Sequence, residues 1–297
     1  MGWLDRMNRM LDYIEANLSG EIDTEEIGRI ACCSAATAQR MFSYVAELPL
    51  SEYVRRRRLT QAAFELQNSG IKVVDLALRY GYESPEAFAR AFQAIHGVTP
   101  TSARRGGVML KAYPRLSFLL TLKGVVPMNY RIETKEGFQV YGIEGIFTTE
   151  NGKNLTDIPD FWTKCRDDGS LGRLDASSGG KGLTGEMCAV NAICDYEERE
   201  GTNFPYMLCA FAAPGRDSTG YKVVNVPVST WAIFKSERLP AGELEKTSDL
   251  IQDLIKRVYT DWLPTAAYDK VDGCELELYY NDGKEFWTET WIRVVPK

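Results

Sequence analysis

The chain is poor in the residues that usually carry catalysis. One histidine, His96, stands among 297 residues, too few for a His-rich metal site, and a Ser–His–Asp triad would have to use that one imidazole. His96 precedes Gly97 and reads as a helix-end residue favoured by the helix dipole. Seven cysteines (Cys32, Cys33, Cys165, Cys188, Cys194, Cys209 and Cys274) are odd in number and contain no C-x-x-C pair. They read as reduced thiols, most of them packed as small hydrophobes. The stretch "SSGGKGLTG" (177–185) suggests a phosphate loop, but Asp175 stands where the first glycine belongs and Gly182 follows Lys181. A mobile loop is the expectation there. What remains is acid among aromatics. In "CELELYY" the period of two puts Glu275, Glu277 and Tyr279 on one strand face and Leu276, Leu278 and Tyr280 on the other. Trp262, Tyr268, Trp287 and Trp291 fall in neighbouring elements. One reading is a solvated strand face with aromatics in the core, which composition alone favours. The other is an aromatic pocket holding a carboxylate, suited to a lipophilic cation.

A second chemistry is suggested nearer the amino terminus. "SAATAQRMF" (34–42) and "SPEAFARAF" (84–92) share Ser-x5-Arg-x-Phe, fifty residues apart. Each begins with a serine suited to cap a helix. In each, one face is hydrophobic: Ala38, Met41, Phe42 and Val45 in the first, Phe88, Ala91, Phe92 and Ile95 in the second. The other face keeps small residues around a polar pair or an arginine: Ala35, Ala36, Gln39, Arg40 and Ser43, then Glu86, Ala87, Arg90 and Gln93. Small residues allow a helix to sink into a DNA major groove, where arginine and glutamine meet base edges or phosphates.

The elements that must position these helices are legible. Leu4, Met7, Leu11, Ile14 and Leu18 recur at helical spacing, and a second helix runs from Thr24 to Ala31. Val73, Leu76, Ala77 and Tyr80 line a short helix before Gly81 permits a tight bend. The order of short helix, turn and capped helix is a helix-turn-helix, twice. Between the copies, Leu50 to Gln67 contains no glycine or proline. A helix of that length spans roughly 27 Å. With the bodies of the two units added, it suits recognition helices one DNA turn apart, ~34 Å. Its "RRRR" (Arg55 to Arg58) points all round the helix, so Arg55 and Arg58 are expected at phosphates or in solvent.

Composition permits this reading. The chain is 44% hydrophobic and 26% charged, enough for a sizeable core, and about two domains are expected. Its net charge is −6, yet residues 35–110 hold ten basic and six acidic residues, a local basic excess. No apolar run reaches the ~20 residues of a membrane span, and the amino terminus lacks a secretory signal pattern. After "RRGG" (104–107) the pattern turns to strands. Strand, helix "IPDFWTKCRDDG", and two strands are followed by a second strand, helix "EKTSDLIQDLIKRVYTDWLP", and two strands. An α+β domain with duplicated strand-helix-strand-strand units, a curved antiparallel sheet and a cleft between halves is expected.

The stretch "VVDLALRYGYESPEAFARAFQAIHGVTPTSAR" resembles the second helix-turn-helix of the AraC/XylS transcription regulators. It does so through Leu76-Ala77, Gly81-Tyr82, Ser84, Phe88, Arg90, Phe92, Gly97, Thr99-Pro100 and Arg104. Residues 3–105 share the likeness. It departs at Cys32, where relatives place a turn glycine, and at Ala103, where they place tyrosine. The resemblance implies base-facing roles for Ala36, Gln39 and Arg40 and for Glu86, Ala87 and Arg90. "DWLPTAAYDKVDGCELELYYND" with "TETWIRVV" is similar to the GyrI-like effector-binding domain. That resemblance implies a ligand cleft with Glu277 as the residue that meets cations and Tyr279, Trp162 and Trp287 as walls. Trp262 is a further expected ligand-binding residue.

Together these give a double helix-turn-helix DNA-binding domain (1–107), a linker or first strand (108–124) and a GyrI-like effector-binding domain (125–297). The expected protein is a cytoplasmic one-component regulator, not an enzyme, without metal or cofactor. Its expected partners are double-stranded DNA and a lipophilic effector, positively charged or strongly hydrogen-bonding, with RNA polymerase left open. Two alternatives stay open for the second domain: a GyrI-like small-molecule hydrolase, or a protein-partner module whose cleft is closed and dry.

Overall fold

The computed structural model describes residues 2–105, 107–118, 127–183, 188 and 190–297. The first third is helical: α1 (Trp3–Ala16), α2 (Thr24–Ala31), α3 (Ala35–Ala46), α4 (Leu50–Asn68), α5 (Val73–Arg79), α6 (Pro85–His96) and α7 (Pro100–Ala103). The capping residues set the boundaries. Ser34 Oγ accepts from the Thr37 N–H, and Ser84 Oγ accepts from the Ala87 N–H, each satisfying a donor the helix leaves free. Gly28 lets α2 approach α3. A Cβ at that position would lie 2.8 Å from the Cys33 carbonyl oxygen and 2.9 Å from the Ala35 nitrogen. The α2–α3 turn is left-handed at Cys32 (φ 58°), as the α5–α6 turn is at Gly81 (φ 76°). The cysteine therefore makes the same type of turn as the expected glycine, at a steric cost.

The remainder is α+β. It contains β1 (Asn129–Lys135), β2 (Phe138–Thr148), α8 (Asn154–Asp167), α9 (Ser170–Ser178), β3 (Asn191–Cys194), β4 (Asn203–Phe211), β5 (Lys222–Val226), β6 (Ser229–Lys235), β7 (Leu239–Pro240), α10 (Thr247–Arg257), β8 (Tyr268–Lys270), β9 (Glu275–Asn281) and β10 (Glu285–Pro296). The main sheet runs β1-β6-β10-β9-β3-β4-β2-β5, and every pair is antiparallel. Its order is a duplication about the β9–β3 seam. β2-helix-β3-β4 mirrors β6-helix-β9-β10, and each half lends an outer strand to the other, β1 to β6 and β5 to β2. The expected strand in "RLSFLLTLKG" does not form at residues 115–118, and residues 119–124 lie outside those described.

The buried hydrophobic residues of the helical third fall into two cores. The second helix-turn-helix has its own core, with Leu59, Leu66, Leu76, Phe88, Phe92 and Ala103 buried together. The first shares a core with the sheet domain. Met7, Leu11, Ile14 and Phe42 belong to one cluster with Ile251, Leu254, Val258, Tyr259 and Ile292. Trp3 stacks on Tyr259 at 6.1 Å, and the Asn8 side-chain amide exchanges two 2.8 Å hydrogen bonds with the Phe118 backbone. Helix α4 thus spans two bodies, buried against the first core at Tyr53 and inside the second at Ala62.

A candidate ligand cleft walled by an expected recognition helix

The concave side of the sheet carries the residues set aside by alternation. Leu276, Leu278 and Tyr280 enter the core on one face of β9, as the period of two requires. Glu275, Glu277 and Tyr279 take the other face, next to the central seam, where Ala192 of β3 pairs with Glu277. Helices α8, α9 and α10 stand over this face and leave a cavity of about 880 Å³. Trp162, Leu155 and Ile158 of α8, Ile251 and Ile255 of α10, Phe204 and Tyr206 of β4, and Glu277 and Tyr279 of β9 line it.

Glu277 is held by neutral donors. Tyr279 OH donates to its Oε2 at 2.8 Å and Tyr206 OH at 3.3 Å; Trp162 Nε1 donates in turn to Tyr206 OH at 2.9 Å. Burial pushes the Glu277 carboxyl above the ordinary carboxylate value, against the pull of those hydroxyls and of Arg40. Its neighbours are matched otherwise. Arg40 contacts Asp195 Oδ2 at 2.5 Å and Glu275 Oε2 at 3.1 Å, while Lys270 Nζ lies 2.9 Å from Glu275 Oε1. Tyr259 OH donates to Glu275 at 3.0 Å. Burial works to raise Glu275, but Lys270 and Arg40 outweigh it and hold the group below its ordinary value. Two cations therefore face Asp195 and Glu275. Glu277 is a third carboxylate, with no ion-pair partner among the described residues.

Arg40 comes from α3, the first expected recognition helix. Ala36, Gln39 and Arg40, expected at DNA bases, are 1%, 6% and 6% exposed and lie against the sheet domain. Ala36 packs in the cluster of Tyr141, Cys165, Phe204 and Leu208. Gln39 Oε1 accepts from Thr149 Oγ1 at 3.0 Å, Thr37 Oγ1 donates to Asp195 at 2.9 Å, and the Ser34 N–H donates to Asp272 Oδ2 at 3.1 Å. Arg40 also lies over the Phe204 ring at 4.9 Å, and both Arg40 and Tyr44 line the cavity. The small residues that would let α3 enter a groove let it enter this cleft.

The second expected recognition helix keeps its polar face open. Glu86 and Arg90 are exposed on α6 and Ala87 is half-buried. His96, at its end, is buried with Nε2 3.1 Å from the Leu59 carbonyl oxygen, and burial lowers its pKa; it is a packing residue joining α6 to α4. Arg55 is ion-paired with Glu52 at 2.7 Å and remains partly exposed. Arg58 is spent internally, donating to the Leu18 carbonyl at 3.0 Å and the Gly20 carbonyl at 2.6 Å.

Of the expected ligand residues, the structure brings Glu277, Tyr279 and Trp162 together and places Trp262 and Trp287 elsewhere. Trp287 pairs across the strands with Tyr280 and stacks on it at 5.3 Å, so it shares the face opposite Glu277. Trp262 packs edge-on to Phe234 at 4.8 Å, outside the cavity lining. Sequence reasoning missed Tyr206, Asp195 and Lys270. Tyr206 lies on a strand buried on both faces, where alternation gives no signal, and the other two meet their partners only through the tertiary fold. Among the described residues no cluster of His, Cys, Asp and Glu could hold a metal ion, and no helix is long and apolar enough to cross a membrane.

Paired capped helices joined to a duplicated sheet with an aromatic cleft define a DNA-binding protein that carries a small-molecule-binding domain. Comparison with known proteins agrees: residues 27–106 match the helix-turn-helix domain family and residues 128–295 the GyrI-like small molecule binding domain family. The chain belongs to the AraC-type helix-turn-helix transcription regulators that carry a GyrI-like domain. It is 36% identical over 98 residues to the HTH-type transcriptional activator AarP of Providencia stuartii, covering 33% of this chain and 73% of that protein. It is 33% identical over 98 residues to the multiple antibiotic resistance protein MarA of Salmonella typhimurium, covering 33% and 77%. The structure of SAV2435 bound to tetraphenylphosphonium matches 57% of this chain and 94% of that one, at 19% identity and a TM-score of 0.41.

Proposed function

We propose that this regulator senses a lipophilic cation and that Glu277 is its counter-ion. The observation that carries the reading is the charge balance of the cleft. Asp195 and Glu275 have their cations, and Glu277 has only tyrosine hydroxyls, beside Trp162 and Tyr279. A carboxylate removed from water is costly unless protonated or paired, so an incoming cation relieves that cost while the aromatic walls bury its apolar surface. Neutral effectors of equal bulk gain only the second term. DNA recognition falls to Arg90, Glu86 and Ala87 on α6, and to Gln39, Arg40 and Ala36 only when α3 is uncovered. Arg55 is positioned for a phosphate once its pairing with Glu52 yields; Arg58 is not.

The reading is non-enzymatic. The cavity lining offers the carboxylates of Glu277, Asp175 and Glu245 and several tyrosines but no histidine, and burial pushes the Cys194 thiol up, away from the nucleophilic thiolate. A cavity of about 880 Å³ suits a small molecule better than a closed, dry contact for a protein partner. The test is calorimetric titration of the full chain with tetraphenylphosphonium and with triphenylphosphine oxide, a neutral aryl compound of comparable bulk. Preference for the cation that disappears in Glu277→Gln is expected. Equal affinity for both compounds, unchanged in the variant, returns Glu277 to an ordinary polar wall. Hydrolysis of candidate esters by the full chain would overturn the non-enzymatic reading.

A further inference from the structure

The geometry points to the acidic end of the cleft as an intramolecular docking site for the first recognition helix, which holds α3 in place of DNA until a cationic effector displaces it. Apart from Ser43, whose hydroxyl donates to the Gln39 carbonyl of its own helix, the polar residues that α3 would present to a groove are engaged by the sheet domain. Arg40 is on Asp195 and Glu275, Thr37 on Asp195, Gln39 on Thr149, and the helix N-terminus on Asp272. An acidic surface that takes an arginine and a helix N-terminus offers what a DNA backbone offers: negative charge and hydrogen-bond acceptors. A helix so enclosed cannot reach base edges, while α6 in the same chain is open to them.

The contact has the chemistry of a reversible interface. A helix committed for good to a core loses little, and often gains, when its buried ion pairs are replaced by packed apolar residues. Here the buried face keeps arginine, glutamine and threonine beside the small Ala35 and Ala36. The coupling to ligand is built into the cavity wall. Arg40 and Glu277 line the same cavity, so a cation seated at Glu277 stands beside the Arg40 guanidinium. Like charges in one low-dielectric space repel, and the ligand favours the arrangement in which Arg40 has left. This last step rests on the cationic effector proposed above; the docking of α3 does not.

Asp195→Asn tests the docking without ligand. Asp195 has a left-handed backbone (φ 52°) that asparagine adopts readily, and it contributes to the effector domain, not to the DNA-facing helix. Affinity is measured for a duplex selected by the parent from a random library, with a footprint, alongside hydrogen exchange of residues 35–46. The expected result is binding at least about tenfold tighter, protection extending into a second major groove, and faster exchange in α3 with α6 unchanged. Asp272→Asn, at an exposed position, should give the same shift in smaller degree should Asp195→Asn disturb folding. Unchanged affinity, footprint and α3 exchange in folded variants overturn the proposal and make α3 a permanent wall of the cavity. Tetraphenylphosphonium on the parent should also speed α3 exchange. Binding of the cation without that change overturns the coupling, yet leaves both the sensor reading and the docking intact.

Discussion

Replacing Glu277 by glutamine keeps the shape of the cleft and removes one charge. In the parent, a cation about 4 Å from the carboxylate gains roughly 4 kcal/mol at an effective dielectric of 20. Part of that is lost because burial favours the protonated carboxyl, which must ionise for the ligand. A net loss of about 2–3 kcal/mol is therefore expected in the variant, roughly 30- to 150-fold in Kd. Tetraphenylphosphonium titrated into both proteins by calorimetry reads this directly, with triphenylphosphine oxide as the neutral control. Acidity provides a second reading. The folded carboxyl titrates above its unfolded value, so between the two the folded state binds more protons than the unfolded one. Stability from this group is present below the unfolded value and is lost as pH rises through the folded one. Ligand-free Glu277→Gln should lose this slope and melt higher than the parent at neutral pH. Cation affinity of the parent should increase over the same rise in pH, and that of the variant should not. A variant that binds the cation as tightly as the parent, at every pH, refutes the counter-ion argument.

Three further outcomes follow from the helical third. Arg90→Ala on exposed α6 should weaken DNA binding by ~1–3 kcal/mol and relax preference at one base position. A uniform loss with a shallower salt dependence would make Arg90 a phosphate contact, and no loss would remove α6 from the groove. Ala62→Pro, at a fully buried position of α4, should destabilise by ~3 kcal/mol or more and misplace α6; chemical denaturation and footprinting against the parent check it. Cys32→Gly relieves a left-handed non-glycine residue and should stabilise by about 1 kcal/mol in the same denaturation assay; a destabilised variant would show that the turn is not strained.

Local chemistry was legible where one element decides it. Serine caps at Ser34 and Ser84, apolar spacing in the helices and alternation in β9 gave the helix-turn-helix pair and the face shared by Glu275, Glu277 and Tyr279. Each depends on neighbours within a few residues. What the sequence withheld depends on which surfaces meet. The outer face of α3 and that of α6 look alike, small residues around an arginine, and both read as groove-facing. Yet Arg40 is buried on Asp195 and Glu275 while Arg90 stands in solvent. Nothing in "SAATAQRMF" states that its polar face has a carboxylate partner 155 residues away. Trp287 shows the same limit on a smaller scale. The resemblance implied a cleft wall there, but strand register pairs it with Tyr280 and turns it to the opposite face. On the docking proposed above, one helix surface serves two acidic partners, the cleft and DNA. The same small residues and the same arginine suit both, because both demand close approach of a backbone and a cation set against negative charge.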